Sequence, residues 1–265
     1  SNHCLVLTAE GQVFGYGAND YGQLGLGDTQ SSPRWVSLGN KTTIRAVAAG
    51  RNHSLLLTNA GEILGCGDNS RGQLGITPGG EQTAWILLSD KTNISAIAAA
   101  GDHSLLLTTS SEVFGCGENR MCQLGVGLTG SLSGWVLLSD KAKVNAIATA
   151  ETHSLFLTAA GQVFGCGNND RSQLGLERTY AFPNWCLLND RTDIRAIAAG
   201  RNHSLILTAA NELFGCGDNK YGQLGLEPYN IVLPLSFPSA DTRDPLATKD
   251  YSRFCLPIPS KQSSI

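Results

Sequence analysis

The stretch His53-Ser54-Leu55-Leu56-Leu57-Thr58, followed by Ile63-Leu64-Gly65-Cys66-Gly67 and Gln73-Leu74-Gly75, is written five times along the chain with small variations. Its histidines are His3, His53, His103, His153 and His203, each 50 residues from the last. Trp35, Trp85, Trp135 and Trp185 keep the same step, and so do Cys66, Cys116, Cys166 and Cys216, with Tyr16 in the first copy. A fixed period of this length marks a repeat architecture, in which each unit buries its apolar faces on its neighbours.

One period holds four short strand candidates: A, Trp35–Leu38; B, Ile44–Ala49; C, His53–Thr58; and D, Ile63–Cys66. Clusters of Gly, Asn, Asp or Lys bound each of them, as befits short antiparallel strands. No segment carries a sustained helical period with caps, so minimal helix is expected. In strand C, His53, Leu55 and Leu57 face one way and Ser54, Leu56 and Thr58 the other. Apolar groups on both faces fit small sheets stacked face to face. The small residues of strand B, as in Ala46-Val47-Ala48-Ala49-Gly50, suit a crowded central axis.

Four-stranded antiparallel sheets repeated radially make a β-propeller, which protects its edges by closing into a ring. The expected fold is therefore all-β, a propeller of about five blades spanning residues 1–238. A tail rich in Pro, Ser and Asp follows at 239–265. The ring is expected to close through N- and C-terminal strands, with Leu233–Phe237 as a last strand A and Leu235 at the tryptophan position.

Composition narrows the function. The chain is 42% hydrophobic and only 15% charged, with a formal net charge of −3, so nothing in bulk composition draws it to nucleic acid or to an anionic membrane. No apolar run approaches the length of a spanning helix, and no partner beyond a protein is expected. Four of the eight cysteines occupy one equivalent position in separate units, which reads as a buried thiol in a reducing compartment. A cytoplasmic location and a monomeric state are the corresponding expectations. No CxxC pair suggests structural zinc, and strand C offers the histidines no second ligand at fixed spacing. No cofactor or metal is expected. The chain has no P-loop, no Gly-x-Ser-x-Gly elbow and no paired carboxylates at a defined spacing, so no intrinsic catalytic site is read.

The combination His-Ser-Leu-Leu-Leu-Thr, then Phe-Gly-Cys-Gly-x-Asn-x-x-Gly-Gln-Leu-Gly, resembles the repeat of the regulator of chromosome condensation family over roughly residues 1–226. The resemblance implies a propeller that binds proteins with its faces. The founding member is a guanine nucleotide exchange factor for the GTPase Ran and also docks on nucleosomes. Similar repeats occur in ubiquitin ligases, scaffolds, a plant ultraviolet photoreceptor and bacterial effectors acting on host small GTPases, for which the location would be the host cytosol. Two departures stand out. The founding family is usually seven-bladed, against about five units here. The even 50-residue spacing also leaves no room between His3 and Gly225 for the inserted β-wedge of the Ran exchange factor. The photoreceptor's tryptophan cluster is missing, because Arg51-Asn52, Gly101-Asp102 and Glu151-Thr152 precede the histidines. What the resemblance implies is a small GTPase partner of the Ran or Rab type, with nucleotide exchange as one outcome. The alternative is a scaffold or inhibitor without exchange activity.

Comparison of the five internal copies separates mould from function. Positions identical in every copy answer a demand common to every blade: the histidines, Asn19, Asn69, Asn119, Asn169 and Asn219, and the Gln-Leu-Gly triplets. Positions that diverge are free to carry specificity. After strand D these include Tyr21, Ser70, Arg71, Arg120, Met121, Arg171, Lys220 and Tyr221. Before strand C they include Arg51, Asp102, Glu151 and Arg201. In an up-and-down blade the B–C and D–A loops emerge at one end, so these twelve residues should share a rim rich in interface-forming side chains. Alanine at Tyr21, Arg71, Arg171 and Tyr221 is expected to abolish partner binding while leaving the melting temperature nearly unchanged.

Overall fold

The computed structural model describes residues 2–39, 44–89, 93–138 and 142–225, and these form eighteen β-strands and no helix. The first sheet contains β1 (His3–Leu7), β2 (Val13–Gly17) and β3 (Ser32–Ser37). The second contains β4 (Ile44–Ala49), β5 (His53–Thr58), β6 (Ile63–Asn69) and β7 (Gly79–Leu87). In the third are β8 (Ile94–Ala100), β9 (His103–Thr108), β10 (Val113–Gly117) and β11 (Leu132–Leu137). In the fourth are β12 (Val144–Thr149), β13 (His153–Thr158), β14 (Val163–Asn168) and β15 (Ala181–Leu187). The last contains β16 (Ile194–Gly200), β17 (His203–Thr208) and β18 (Leu213–Gly217). All pairings are antiparallel between sequence neighbours, which is the blade topology of a β-propeller.

The structure corrects the phase of the repeat. The tryptophan-bearing strand pairs with strand D of the period before it, with Gly15 opposite Val36 and Gly65 opposite Ile86. A blade is therefore B-C-D-A, and the A–B segment crosses from one blade to the next. Consequently the first sheet holds C, D and A, and the last holds B, C and D. The strands expected to complete them, including Leu233–Phe237, lie outside the described residues. So do most A–B turns.

The inner strands β4, β8, β12 and β16 pack in succession, and from their third residue onward they are almost entirely Ala, Val, Ile and Gly, with Thr149 the one larger polar side chain. The apolar core lies in the seams between blades. Leu55, Leu57, Ile63, Leu74 and Leu88 of the second blade meet Ile94 and Leu106 of the third, and the same set recurs one period on with Val144 and Phe156. Leu55 and Leu57 thus face forward while Leu56 faces back against Val13 and Leu24, as the alternation in strand C requires. Each fully buried Leu contributes about 1.5–3 kcal/mol.

The tryptophan locks each seam. In Gln-Leu-Gly the glycine has positive φ (+69° at Gly75), and a Cβ there would collide with the Trp135 indole of the next blade. Trp85 is 8% exposed on Gly25, and Trp185 stacks on Phe156 at 3.6 Å. Trp35, in the first blade, is 53% exposed, and among the described residues its ring lies against Tyr16, at 5.5 Å.

Candidate functional site

The repeated residues form a hydrogen-bonded clamp across each of the four seams among the described residues. Ser104 Oγ donates to the Gln73 main-chain carbonyl at 2.7 Å, and the Cys116 thiol donates to the same oxygen at 3.4 Å. With its hydrogen committed, Ser104 Oγ accepts from His53 Nε2 at 2.9 Å. The same triad joins Ser54 to Gln23 and His3, and Ser204 to Gln173 and His153. At the third seam Ser154 still donates to Gln123, whereas His103 also engages Thr149, a residue that is Ala in the other copies. Burial holds His53, His103 and His153 neutral, with pKa lowered to about 3. It also pushes the thiols of Cys66, Cys116 and Cys166 up, so they remain protonated donors. These groups hold blades together. None is presented to a ligand.

Asn and Gln build the D–A turn that carries the variable residues. Asn69 Oδ1 accepts from Leu74 N–H at 3.1 Å, and its Nδ2 donates to the Thr77 carbonyl at 2.8 Å. Gln73 Oε1 accepts from the N–H of Arg71 at 2.9 Å. The equivalent bonds reach the N–H groups of Tyr21, Met121, Arg171 and Tyr221. Buried polar groups, satisfied by backbone, therefore fix the residues that vary.

All twelve positions lie on B–C or D–A turns at one end of the sheets. Six of them join with Glu118 in an ion-pair ribbon: Arg201, Glu151, Arg51, Asp102, Arg71, Glu118 and Arg120, alternating in sign throughout. The distances are 3.0 Å for Arg201–Glu151 and 3.5 Å for both Arg51–Asp102 and Arg71–Asp102. Arg120–Glu118 is 3.6 Å, while Arg51–Glu151 and Arg71–Glu118 are in direct contact. Burial lifts the Asp102 carboxyl above the usual range, although Arg51 and Arg71 pull it down. Exposed pairs of this kind each contribute about 0–1 kcal/mol, so the ribbon orders side chains more than it stabilises the fold.

The remaining positions stand apart from the ribbon. Tyr221 is 81% exposed, and the Lys220 ammonium lies 5.3 Å from its ring centroid. Tyr21 and Arg171 are exposed, Met121 is half-buried, and Ser70 folds back onto Asp68. Among the described residues, Arg71 is the one of the four proposed alanine sites that makes ion pairs. It is half-buried between Asp102 and Glu118, and its removal leaves both carboxylates short of a partner. Sequence comparison missed Glu118, although its position, just before the invariant Asn, also varies: Ala18, Asp68, Glu118, Asn168, Asp218. Leu128 and Tyr180 lie in D–A segments whose variation the sequence shows, Gly127–Gly134 and Glu177–Asn184, but are not among the twelve; they are about 70% exposed on loops that Asn119 and Asn169 tie down.

This fold and rim define a propeller of the regulator of chromosome condensation type. The chain belongs to the RCC1-like domain family, whose model matches residues 1–256. It is similar to the ultraviolet-B receptor UVR8 of Arabidopsis thaliana, 47% identical over 51 residues, which cover 18% of this chain and 12% of that protein. A Danio rerio RCC2 homolog is 42% identical over 52 residues, covering 19% of this chain and 10% of the relative. Among solved structures, human WBSCR16 superposes with a TM-score of 0.77 and 26% identity, covering 89% of this chain and 65% of that one. Prp20p of Saccharomyces cerevisiae, described with its binding properties to Gsp1p and histones, gives 0.76 and 20%, covering 91% and 62%. This chain thus spans less than two thirds of either solved chain.

Proposed function

We propose that this propeller docks a small GTPase of the Ran or Rab type on the rim formed by its B–C and D–A turns, and that docking promotes guanine nucleotide exchange. The observation that carries the reading is the concentration of variable residues on one end of the sheets, five of them held at their N–H groups by the invariant Gln and four of the others linked by ion pairs. Pre-ordered side chains lose little entropy on binding, and Tyr, Arg and Met are the types that dominate interfaces. Membership of the RCC1-like family supplies the GTPase class by analogy.

One observation favours a second reading, a scaffold that binds without exchange. Between His3 and Gly225 the even 50-residue period leaves no room for an inserted element that would enter a nucleotide site. Release of a fluorescent guanine nucleotide from a panel of Ran and Rab GTPases, run beside a pull-down with the same proteins, separates the two. Faster release supports exchange, binding alone supports the scaffold, and absence of binding across the panel removes the GTPase.

A further inference from the structure

At the centre of the same rim the B–C turns surround a cavity of about 260 Å³. Its walls are small: Ala49, Gly50, Ala100, Ala150, Ala199 and Gly200. Three charged side chains line it: Arg51, Glu151 and Arg201. Arg51 belongs to the second blade and Glu151 to the fourth, so their ion pair spans the mouth over the third. Gly101 makes this reach possible. It offers no side chain, its carbonyl accepts from Arg51 N–H at 2.7 Å, and a Cβ there would meet the Glu151 backbone at 2.9 Å.

We propose that this axial mouth is a binding site for a carboxylate-bearing segment of a protein partner, held by Arg51 and Arg201 in competition with Glu151. The proposal rests on the reading of this end as the docking face. Two guanidiniums share one carboxylate here, and Asp102, the other anion beside Arg51, is shared with Arg71. Both arginines keep exposed N–H groups, with side chains 48% and 79% exposed. The pair already grips a carboxylate, which shows that the fork geometry suits that ion. Beyond the mouth the ribbon alternates in sign through Asp102 and Glu118, so the free positive charge is confined to a spot that suits one entering carboxylate rather than a continuous run of phosphates. The small walls leave room for one acidic side chain to enter.

The variants make opposite predictions. Wild-type protein is titrated calorimetrically with a hexaglutamate peptide at low salt, about 50 mM, where ion pairing is least screened. Arg51→Gln/Arg201→Gln should weaken binding by about tenfold or more, and Glu151→Gln, which frees both guanidiniums, should tighten it about threefold. A hexalysine peptide should not bind. Melting curves taken alongside confirm that each variant is folded, and Glu151→Gln carries the test if the double variant is not. The proposal is overturned if wild type ignores hexaglutamate, if Glu151→Gln weakens binding, or if a single-stranded oligonucleotide binds more tightly than the peptide. Peptide binding without any GTPase binding would leave the mouth standing and remove the GTPase; unchanged GTPase binding by the arginine variant would do the reverse.

Discussion

His53 Nε2 and Ser104 Oγ lie 2.9 Å apart across the boundary between the second and third blades, in residues 51 positions apart. The hydroxyl is at once the acceptor for the imidazole and the donor to Gln73, so one side chain closes a bond chain from one blade to the next and back. Ser104→Ala leaves the buried Nε2–H without its acceptor. It should lower unfolding free energy by about 1–3 kcal/mol in denaturant titrations, with peptide and GTPase binding to the folded protein unchanged.

The buried histidines set a pH dependence. Their folded pKa of about 3 lies below the ordinary 6.5, so the unfolded chain takes up protons first as pH falls. The stabilisation is therefore complete above pH 6.5 and is lost progressively as pH drops from 6.5 towards 3. His3, lowered to about 4 by burial, joins them above pH 4, and the four groups together give a slope of about 5 kcal/mol per pH unit near the middle of the window. Denaturation at pH 7, 6 and 5 measures it, and His53→Gln should remove about one proton's worth of the slope.

Ser172 occupies a left-handed conformation, φ 56°, as does the equivalent Cys122 at 61°, where the other three turns have Gly22, Gly72 and Gly222. Its hydroxyl is buried without a partner among the described residues. Ser172→Gly relieves both costs and should stabilise the protein by about 1–2 kcal/mol, seen as a melting temperature several degrees higher.

Trp35 and Trp85 are equivalent in sequence but not in surroundings, at 53% and 8% exposed. Acrylamide should quench one red-shifted emission component selectively, and Trp35→Phe should remove it. A quenching curve shared equally by all four tryptophans would contradict the exposed face of the first blade.

Much of this was legible in the sequence because the period converts one chain into five aligned copies. Leu55 and Leu56 announced two buried faces by alternation alone, and the invariance of Gln73 and Asn69 marked them as structural. The phase of the blade was not legible. Strand A follows D and precedes B in sequence, and only the tight turn pinned by Asn and Gln decides that A pairs with D. Arg71 was likewise read as free surface, since comparison of copies reveals which positions vary but not which of them touch. Its contact with Glu118 crosses a seam, and no periodicity encodes that. Trp35 shows the same limit, for an end copy differs from its siblings only in its neighbours.

The central claim is that function lies with the residues that escape the repeat. Its most direct test is the affinity of the GTPase identified by the panel for the variant Tyr21→Ala/Arg171→Ala/Tyr221→Ala, measured beside Ser104→Ala. The rim variant should lose binding about tenfold or more while melting as wild type, and Ser104→Ala should melt earlier while binding as wild type. Full binding by the rim variant, or loss of binding confined to Ser104→Ala, would contradict it.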